Sequence, residues 1–340
     1  MRILMIGGTR FIGPYVGQRL RDEGHDITLF HRGETKTNLS AVSEILGDRR
    51  ALRDFSEQLK ALAPDVVLDM FPYTEEDARL LMSVFKGLTR RVVVISSADV
   101  YRAYGRLLRM ESGPPGPVPL DEGAPLREVF YPHRSQAEGP EDYKYQYEKI
   151  LVERVVMNDP DLPGTVLRLP AVYGPGDPQH RLFGYLRRMD DKRPHIVLDE
   201  AQARWRWTRG YVENVAEAIT LAVTNERAMN RIYNVGQADA VIEADWIRSI
   251  GKTAEWEGDV VPIPMELLPD HLKTGSNYEH HLVTDTGRIR KELCYNERIS
   301  FDEGVLRTIE WERANPPADI NPIDAEYAAE DAAMDQHTTQ

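Results

Sequence analysis

The chain has 340 residues, enough for two domains or one large α/β unit. Forty-two Lys and Arg against 55 Asp and Glu leave a net charge of −13, which excludes a general nucleic-acid coat while leaving room for a local basic groove. Hydrophobic residues at 41% exclude global disorder, the single cysteine Cys294 excludes an internal disulfide or a cysteine-based zinc cluster, and no apolar run reaches the ~18 residues of a membrane span.

In chain order, residues 2–6 read as a buried strand and 11–23 as an amphipathic helix. Strands follow at 26–30 and 43–46, then a helix over 51–62 that stops before Pro64. Residues 65–70 and 91–96 are further strands around a helix at 75–85. Strands alternating with helices of this length imply right-handed crossovers and a parallel sheet buried on both faces. The expected fold is therefore an α/β, doubly wound parallel Rossmann sheet with a smaller C-terminal α/β substrate-binding region. Residues 1–170 are expected to form the sheet domain, within which 98–142 is a long loop rich in turn residues and a candidate lid carrying His133 and Arg134. A helix over 143–157 and a strand at 165–169 follow. Residues 171–318 are expected to be mainly substrate-binding and partly interleaved with the sheet, with helices near 211–223, 244–251, 286–293 and 302–313 and a strand at 232–235. From 319 to 340 the chain has six acids and no Lys or Arg, which reads as a solvated, disordered tail.

The first strand runs directly into Gly7-Gly8-Thr9-Arg10-Phe11-Ile12-Gly13 and a helix. Unpaired N–H groups at such a helix start suit a pyrophosphate, Gly7 allowing the tight turn and Gly13 the close packing of helix on strand. Arg10 stands where such turns usually have a middle glycine and adds a potential phosphate ligand. The second strand ends Phe30-His31-Arg32-Gly33 without the acid that usually accepts from an adenosine ribose. Arg32 there leans the expected cofactor, NAD(P), towards NADP without excluding NAD. Asp48 is placed to accept from the adenine amino group and Arg49 to stack on the ring.

Of the 15 tyrosines only Tyr145 has a lysine four positions on, Lys149. On a continuous helix the phenol and the ammonium would share a face, and the ammonium would lower the phenol's pKa towards a useful base. Ser97, at the end of the strand 91–96, can donate to a substrate oxygen beyond the carboxyl edge of the sheet. A solvated helix pair and ordinary turn punctuation are the bland alternatives. The run Arg204-Trp205-Arg206-Trp207-Thr208-Arg209 alternates with period two. As a strand it sets Arg204 and Arg206 on one face, to clamp a substrate pyrophosphate or simply to meet solvent, and both Trp rings on the other. His280 and His281 would face opposite ways in a strand, and no metal is expected.

Gly7–Gly13 after the first strand, Ser96-Ser97-x-x-Val100-Tyr101, Tyr145-xxx-Lys149, Leu169-Pro170-Ala171-Val172-Tyr173-Gly174-Pro175 and Tyr233-Asn234-Val235-Gly236 occur in an order that resembles the extended short-chain dehydrogenase/reductases, in particular the NAD-dependent epimerase/dehydratase family acting on nucleotide sugars. The resemblance covers roughly residues 1–315. It implies an enzyme with Tyr145 as base, Lys149 as its tuner and ribose anchor, Ser97 as the oxygen-binding hydroxyl, and Gly7–Gly13, His31, Arg32, Asp48, Arg49 and Pro170 around the cofactor. It further implies a nucleotide sugar as small-molecule substrate, a homodimer and a cytoplasmic location, the last agreeing with Arg2–Ile6 running into glycine without a signal-peptide layout. Ser97-Ala98-Asp99 stands where dehydratases of the family have Thr-Asp-Glu, so epimerase or oxidoreductase chemistry is expected rather than loss of water. The GGTRFIG form is also similar to an atypical branch that includes chloroplast stem-loop RNA-binding proteins, which keeps an RNA-binding or cofactor-sensing protein without redox turnover as the alternative.

Overall fold

A computed structural model describes residues 1–37, 39–318 and 323–339. Its strands are β1 (Arg2–Ile6), β2 (Asp26–His31), β3 (Ser43–Leu46), β4 (Val66–Asp69), β5 (Arg91–Ser97), β6 (Gly164–Leu169), β7 (Ala171–Tyr173), β8 (His195–Asp199), β9 (Arg209–Tyr211), β10 (Arg231–Asn234) and β11 (Asp259–Ile263). Seven of them form one parallel sheet in the order β10-β6-β5-β4-β1-β2-β3. The strand order reverses beside β1, whose Ile6 is in register with Phe30 of β2 and Asp69 of β4. That reversal opens a crevice beyond the carboxyl ends of β1 and β4, the position where open α/β sheets bind ligands.

Side chains alternate between two cores. Ile3, Met5, Leu29, Leu68, Val93 and Ile95 pack on one face with Val16 and Leu20 of the helix Ile12–Asp22 and Val215 and Ile219 of the helix Val212–Thr224. Leu4, Ile6, Phe30, Val67, Val92 and Val94 pack on the other with Leu81 and Phe85 of the helix Glu75–Phe85 and Val152 and Val156 of the helix Lys149–Met157. Both faces are covered, which is why these strands read as unbroken apolar runs.

Beyond residue 170 the chain makes two small parallel pairs, β7 with β9 and β8 with β11, and returns to the main sheet through β10, which pairs with β6. The loop 98–142 is pinned rather than loose. Leu120 donates to Val283 and accepts from Asp285, Asn277 donates to Leu107, and Arg127 is buried in the core of the loop.

Three local expectations need correction. The helix expected over 143–157 is broken into Tyr143–Gln146 and Lys149–Met157. Arg204–Arg209 is not one strand: Glu200–Arg204 is a helix, started by Asp199 capping Ala201 and Gln202, and only from Arg209 does β9 begin. The two Trp rings do come together, 5.1 Å apart, with the Trp205 indole donating to His280 O. Finally, Asp324–Thr339 is a helix, although the remainder of the expected disordered tail, 319–322 and 340, lies outside the described residues. Its acids find partners elsewhere in the chain: Glu330 takes Arg188 and His271, Asp331 takes Arg193, and Ala333 is buried against Val197, Ile263 and Leu268. Because Glu330 is only 2% exposed, Glu330→Ala leaves the Arg188 guanidinium in a half-dry site with only the longer pair to Glu326, at 3.4 Å, and the bond to Gly184 O. It is expected to cost about 3 kcal/mol in chemical denaturation, whereas a solvated tail would show no change.

Candidate active site

The glycine turn continues the β1 ladder, with the Gly7 N–H donating to Phe30 O at 2.8 Å. Gly7 and Gly8 both have positive φ, 82° and 93°, which L side chains rarely adopt. A Cβ on Gly13 would stand 2.2 Å from Gly8 Cα and 2.3 Å from Gly8 O, so the helix start is pressed onto the turn with no room for a side chain. Phe11, just before the helix, is held at φ 47°, a strained geometry for a non-glycine residue. No side chain caps this helix; the Gly13 N–H donates to Arg10 O at 3.0 Å and Pro14 has no N–H, so of its first three residues Ile12 keeps its N–H for a ligand. Gly7 has a second reason to be glycine. The ring of Phe71 occupies the place a Cβ would take, 1.7 Å from it.

Around this turn, Arg10 is exposed and donates to Thr35 Oγ1 at 2.8 Å. Arg32 is exposed and paired with Glu34 at 2.8 Å, while His31 is buried between Glu44 and the Gly33 N–H. Asp48 caps the turn that follows β3, accepting from the Arg50 N–H at 2.8 Å, and the Arg50 guanidinium holds its carboxyl below the usual range. Arg49 is drawn inward, its side chain 12% exposed. Its guanidinium is clamped two-pronged on the buried Asp69 at 2.9 and 2.7 Å, and also bonds Asp77 and Phe71 O. The partner lies 20 residues on, beyond the reach of local sequence reasoning.

Lys149 is 3% exposed and donates to Pro72 O and Ile95 O, both at 2.9 Å. It thus ties the carboxyl end of β5 to the segment after β4, whose Phe71 covers Gly7. Two of its three N–H donors are used, and burial lowers its pKa to about 8, against the pull of Asp99 and Asp69. Ser97, at the end of β5, accepts from the Asp99 N–H at 3.2 Å.

Tyr145 is not brought to Lys149. Tyr147 ends the first helical piece and Glu148 caps the second, accepting from the Ile150 N–H at 3.0 Å. Its carboxylate is fully buried on Arg127, at 2.9 and 3.2 Å, and also accepts from the Tyr131 N–H. That pairing needs the chain extended at 147–148, which unhooks position 145 from position 149. The Tyr145 ring lies under Arg134 instead, 4.8 Å from ring centroid to guanidinium. The phenol that reaches the site is Tyr147, 8% exposed, with its hydroxyl 2.6 Å from Asp99 Oδ2 and within reach of Ser97. Sequence reasoning missed Tyr147 because a regular helix would turn it away from Lys149. It quoted Asp99 only as a departure from the dehydratase pattern.

A profile of the "NAD dependent epimerase/dehydratase family" matches residues 3–236, more than half of the chain. The chain belongs to that family. Among curated relatives, UDP-N-acetyl-alpha-D-glucosaminuronate decarboxylase of Bacillus cytotoxicus is 22% identical, the match covering 92% of this chain and 98% of the relative. Chloroplast stem-loop binding protein of 41 kDa b from Arabidopsis thaliana is 24% identical over 69% of this chain and 58% of its own length. Among solved structures, dTDP-glucose 4,6-dehydratase from Bacillus anthracis in complex with NAD superposes with a TM-score of 0.67 at 15% identity, covering 93% of this chain and 97% of that one. Family membership makes this chain an enzyme of the short-chain dehydrogenase/reductase type. The turn fits the family's dinucleotide on physical grounds, through the two positive-φ glycines, the uncapped helix start and the sterically forced Gly13.

Of the residues expected on the substrate side, Arg204 is exposed at the end of its short helix. Arg206 donates to Ala240 O at 2.9 Å and lines a cleft of about 310 Å³ with Pro119, Thr284, Asp285 and Arg290. Arg290 is already held by Glu297 and Gly236 O, which leaves Arg206 the more available cation there. Pro170 lies between β6 and β7, and a Cβ on Gly210 would meet its ring at 3.2 Å. Among the described residues no helix is long and apolar enough to cross a membrane.

Proposed function

We propose that the protein is an NAD(P)-dependent sugar-nucleotide epimerase or oxidoreductase that takes a hydride from a sugar carbon and a proton from its hydroxyl, through a keto intermediate. The observation that carries this reading is the continuous chain of contacts Gly7–Phe71, Pro72–Lys149–Ile95 and Ser97–Tyr147 at the reversal of the sheet, which joins a dinucleotide turn to polar groups suited to a carbinol. In this reading the turn Gly7–Gly13 binds the pyrophosphate, the Lys149 ammonium anchors the nicotinamide ribose, and the Ser97 hydroxyl donates to the substrate oxygen. When bound, the dinucleotide supplies hydride acceptance and return. Return of hydride to the opposite face gives an epimer, and release after one transfer gives a dehydrogenase. Arg206 meets a substrate phosphate from the cleft, with the exposed Arg204 nearby in sequence. A homodimer in the cytoplasm completes the reading, supported by the family alone.

The test is a panel of UDP-, GDP-, CDP- and dTDP-sugars incubated with enzyme and each dinucleotide, reading reduced-nicotinamide absorbance and sugar stereochemistry. Turnover of at least one member is expected. Tight stem-loop RNA binding with no dinucleotide binding would contradict the reading. Arg32 and Arg10 are exposed beside the second strand's end with no carboxylate from β2 between them, which favours the 2′-phosphate of NADP. Arg32→Ala should therefore weaken NADP+ binding about tenfold or more in calorimetry, one charge-assisted contact being worth about 1.5–3 kcal/mol, and leave NAD+ little changed. Equal losses would remove the NADP preference.

A further inference from the structure

We propose that Tyr147, Asp99 and His133 form the proton path of this site, with the Tyr147 phenol, in place of Tyr145, meeting the substrate hydroxyl. The inference rests on the reading of the site as one that oxidises a carbinol.

Three observations carry it. The Tyr147 hydroxyl donates to Asp99 Oδ2 at 2.6 Å, in the range of a strong charge-assisted bond. Asp99 is 7% exposed, yet its Oδ1 accepts no hydrogen bond, an unsatisfied buried acceptor next to Ser97 in a site already short of solvent. Such an atom costs stability unless a donor arrives with a ligand. His133, from the loop 98–142, stacks obliquely on the Tyr147 ring at 5.0 Å and brings Nε2 to 3.9 Å from Asp99 Oδ2, while its side chain keeps contact with solvent. The three groups therefore lead from the buried end of β5 to the surface.

The electrostatics agree. Burial tends to raise the Asp99 carboxyl, but His133, Tyr147 and Arg127 outweigh it and keep the group ionised. Burial, and then the Asp99 charge, push the Tyr147 phenol well above its ordinary value. At neutral pH the pair is thus a neutral phenol on a carboxylate. A phenol in that state accepts a proton only as it gives one up. The substrate O–H bond breaks with its proton going to the Tyr147 oxygen, while the original Tyr147 proton passes to Asp99 Oδ2. The electron pair of the broken bond stays on the substrate oxygen. The resulting carboxylic acid gives its proton up to solvent by way of the His133 imidazole at its side. Nothing is oxidised or reduced in these transfers.

Two measurements test the proposal. With a turned-over sugar nucleotide, Tyr147→Phe and Asp99→Asn should each lower kcat by about 10²–10⁴-fold, more than Tyr145→Phe does, with dinucleotide affinity by calorimetry retained. A greater loss in Tyr145→Phe than in Tyr147→Phe would overturn it. The second needs no substrate: carbon-13 ring resonances of labelled tyrosine are followed with pH in the free protein, Tyr147 being assigned by its loss in Tyr147→Phe. The groups facing this phenol are Asp99, Ser97, Tyr104, His133, Tyr73 and Lys149. The Tyr147 titration should lie above that of free tyrosine and move down in Asp99→Asn. An unmoved titration means that the pair does not exist and sinks the proposal, whatever the sugar panel returns. Absence of dinucleotide binding would instead sink the functional reading and leave the titration result standing.

Discussion

Glu148→Ala is expected to destabilise the protein by about 3–5 kcal/mol, the usual cost of leaving one member of a buried ion pair uncompensated. Both side chains of the Arg127–Glu148 pair are wholly inaccessible to solvent. The carboxylate makes two bonds to the guanidinium and accepts from the Tyr131 and Ile150 N–H groups, so its removal also takes away a helix cap. Arg127 is in turn bonded to Asp99 O and Val129 O, which links the loop 98–142 to the end of β5. The denaturation midpoint should fall, and residues 128–147 should lose hydrogen-exchange protection first. A loss below about 1 kcal/mol, the scale of an exposed pair, would mean that the pair does not set the break at 147–148.

Gly13→Ala is expected to abolish measurable dinucleotide binding while leaving a folded chain. The three atoms nearest the added methyl are all backbone of Gly8, at 2.2–2.4 Å, which cannot swing aside as a flexible side chain would, so the turn must open away from the helix start. The overpacking should cost about 1–3 kcal/mol of stability. Displacing donors by about an ångström costs roughly 10²-fold in interactions that depend on position. Gly24→Ala is the matched control. Gly24 also has positive φ, 81°, but nothing lies within 4 Å of its added Cβ. It should lose stability from strain with unchanged dinucleotide affinity, and equal binding losses in both variants would detach the turn from the ligand.

The sheet was legible because its signals are local. β1 and β2 are largely apolar runs with turn residues at their ends, β3 is a short edge strand before Gly47-Asp48, and the expected 2–6 and 43–46 coincide with Arg2–Ile6 and Ser43–Leu46. The glycine turn was legible for the same reason. What escaped depends on partners distant in sequence. Nothing within 143–157 announces a break, because the break belongs to Arg127, 21 residues before Glu148. Arg49 looked free because Asp69 is 20 residues away. The acids past residue 319 looked solvated because their partners, Arg188, Arg193 and His271, lie some 59 to 142 residues earlier. At the site, Lys149 bonds Ile95 O, two residues before Ser97, while that same distant ion pair sets Tyr147 rather than Tyr145 on Asp99.

The central claim, that the turn after β1 holds a nicotinamide dinucleotide, is tested most directly by calorimetric titration of the purified protein, freed of bound nucleotide, with NAD+ and NADP+. Saturable binding of at least one, at one equivalent per chain and lost in Gly13→Ala, is the predicted result. A folded protein that binds neither would contradict it.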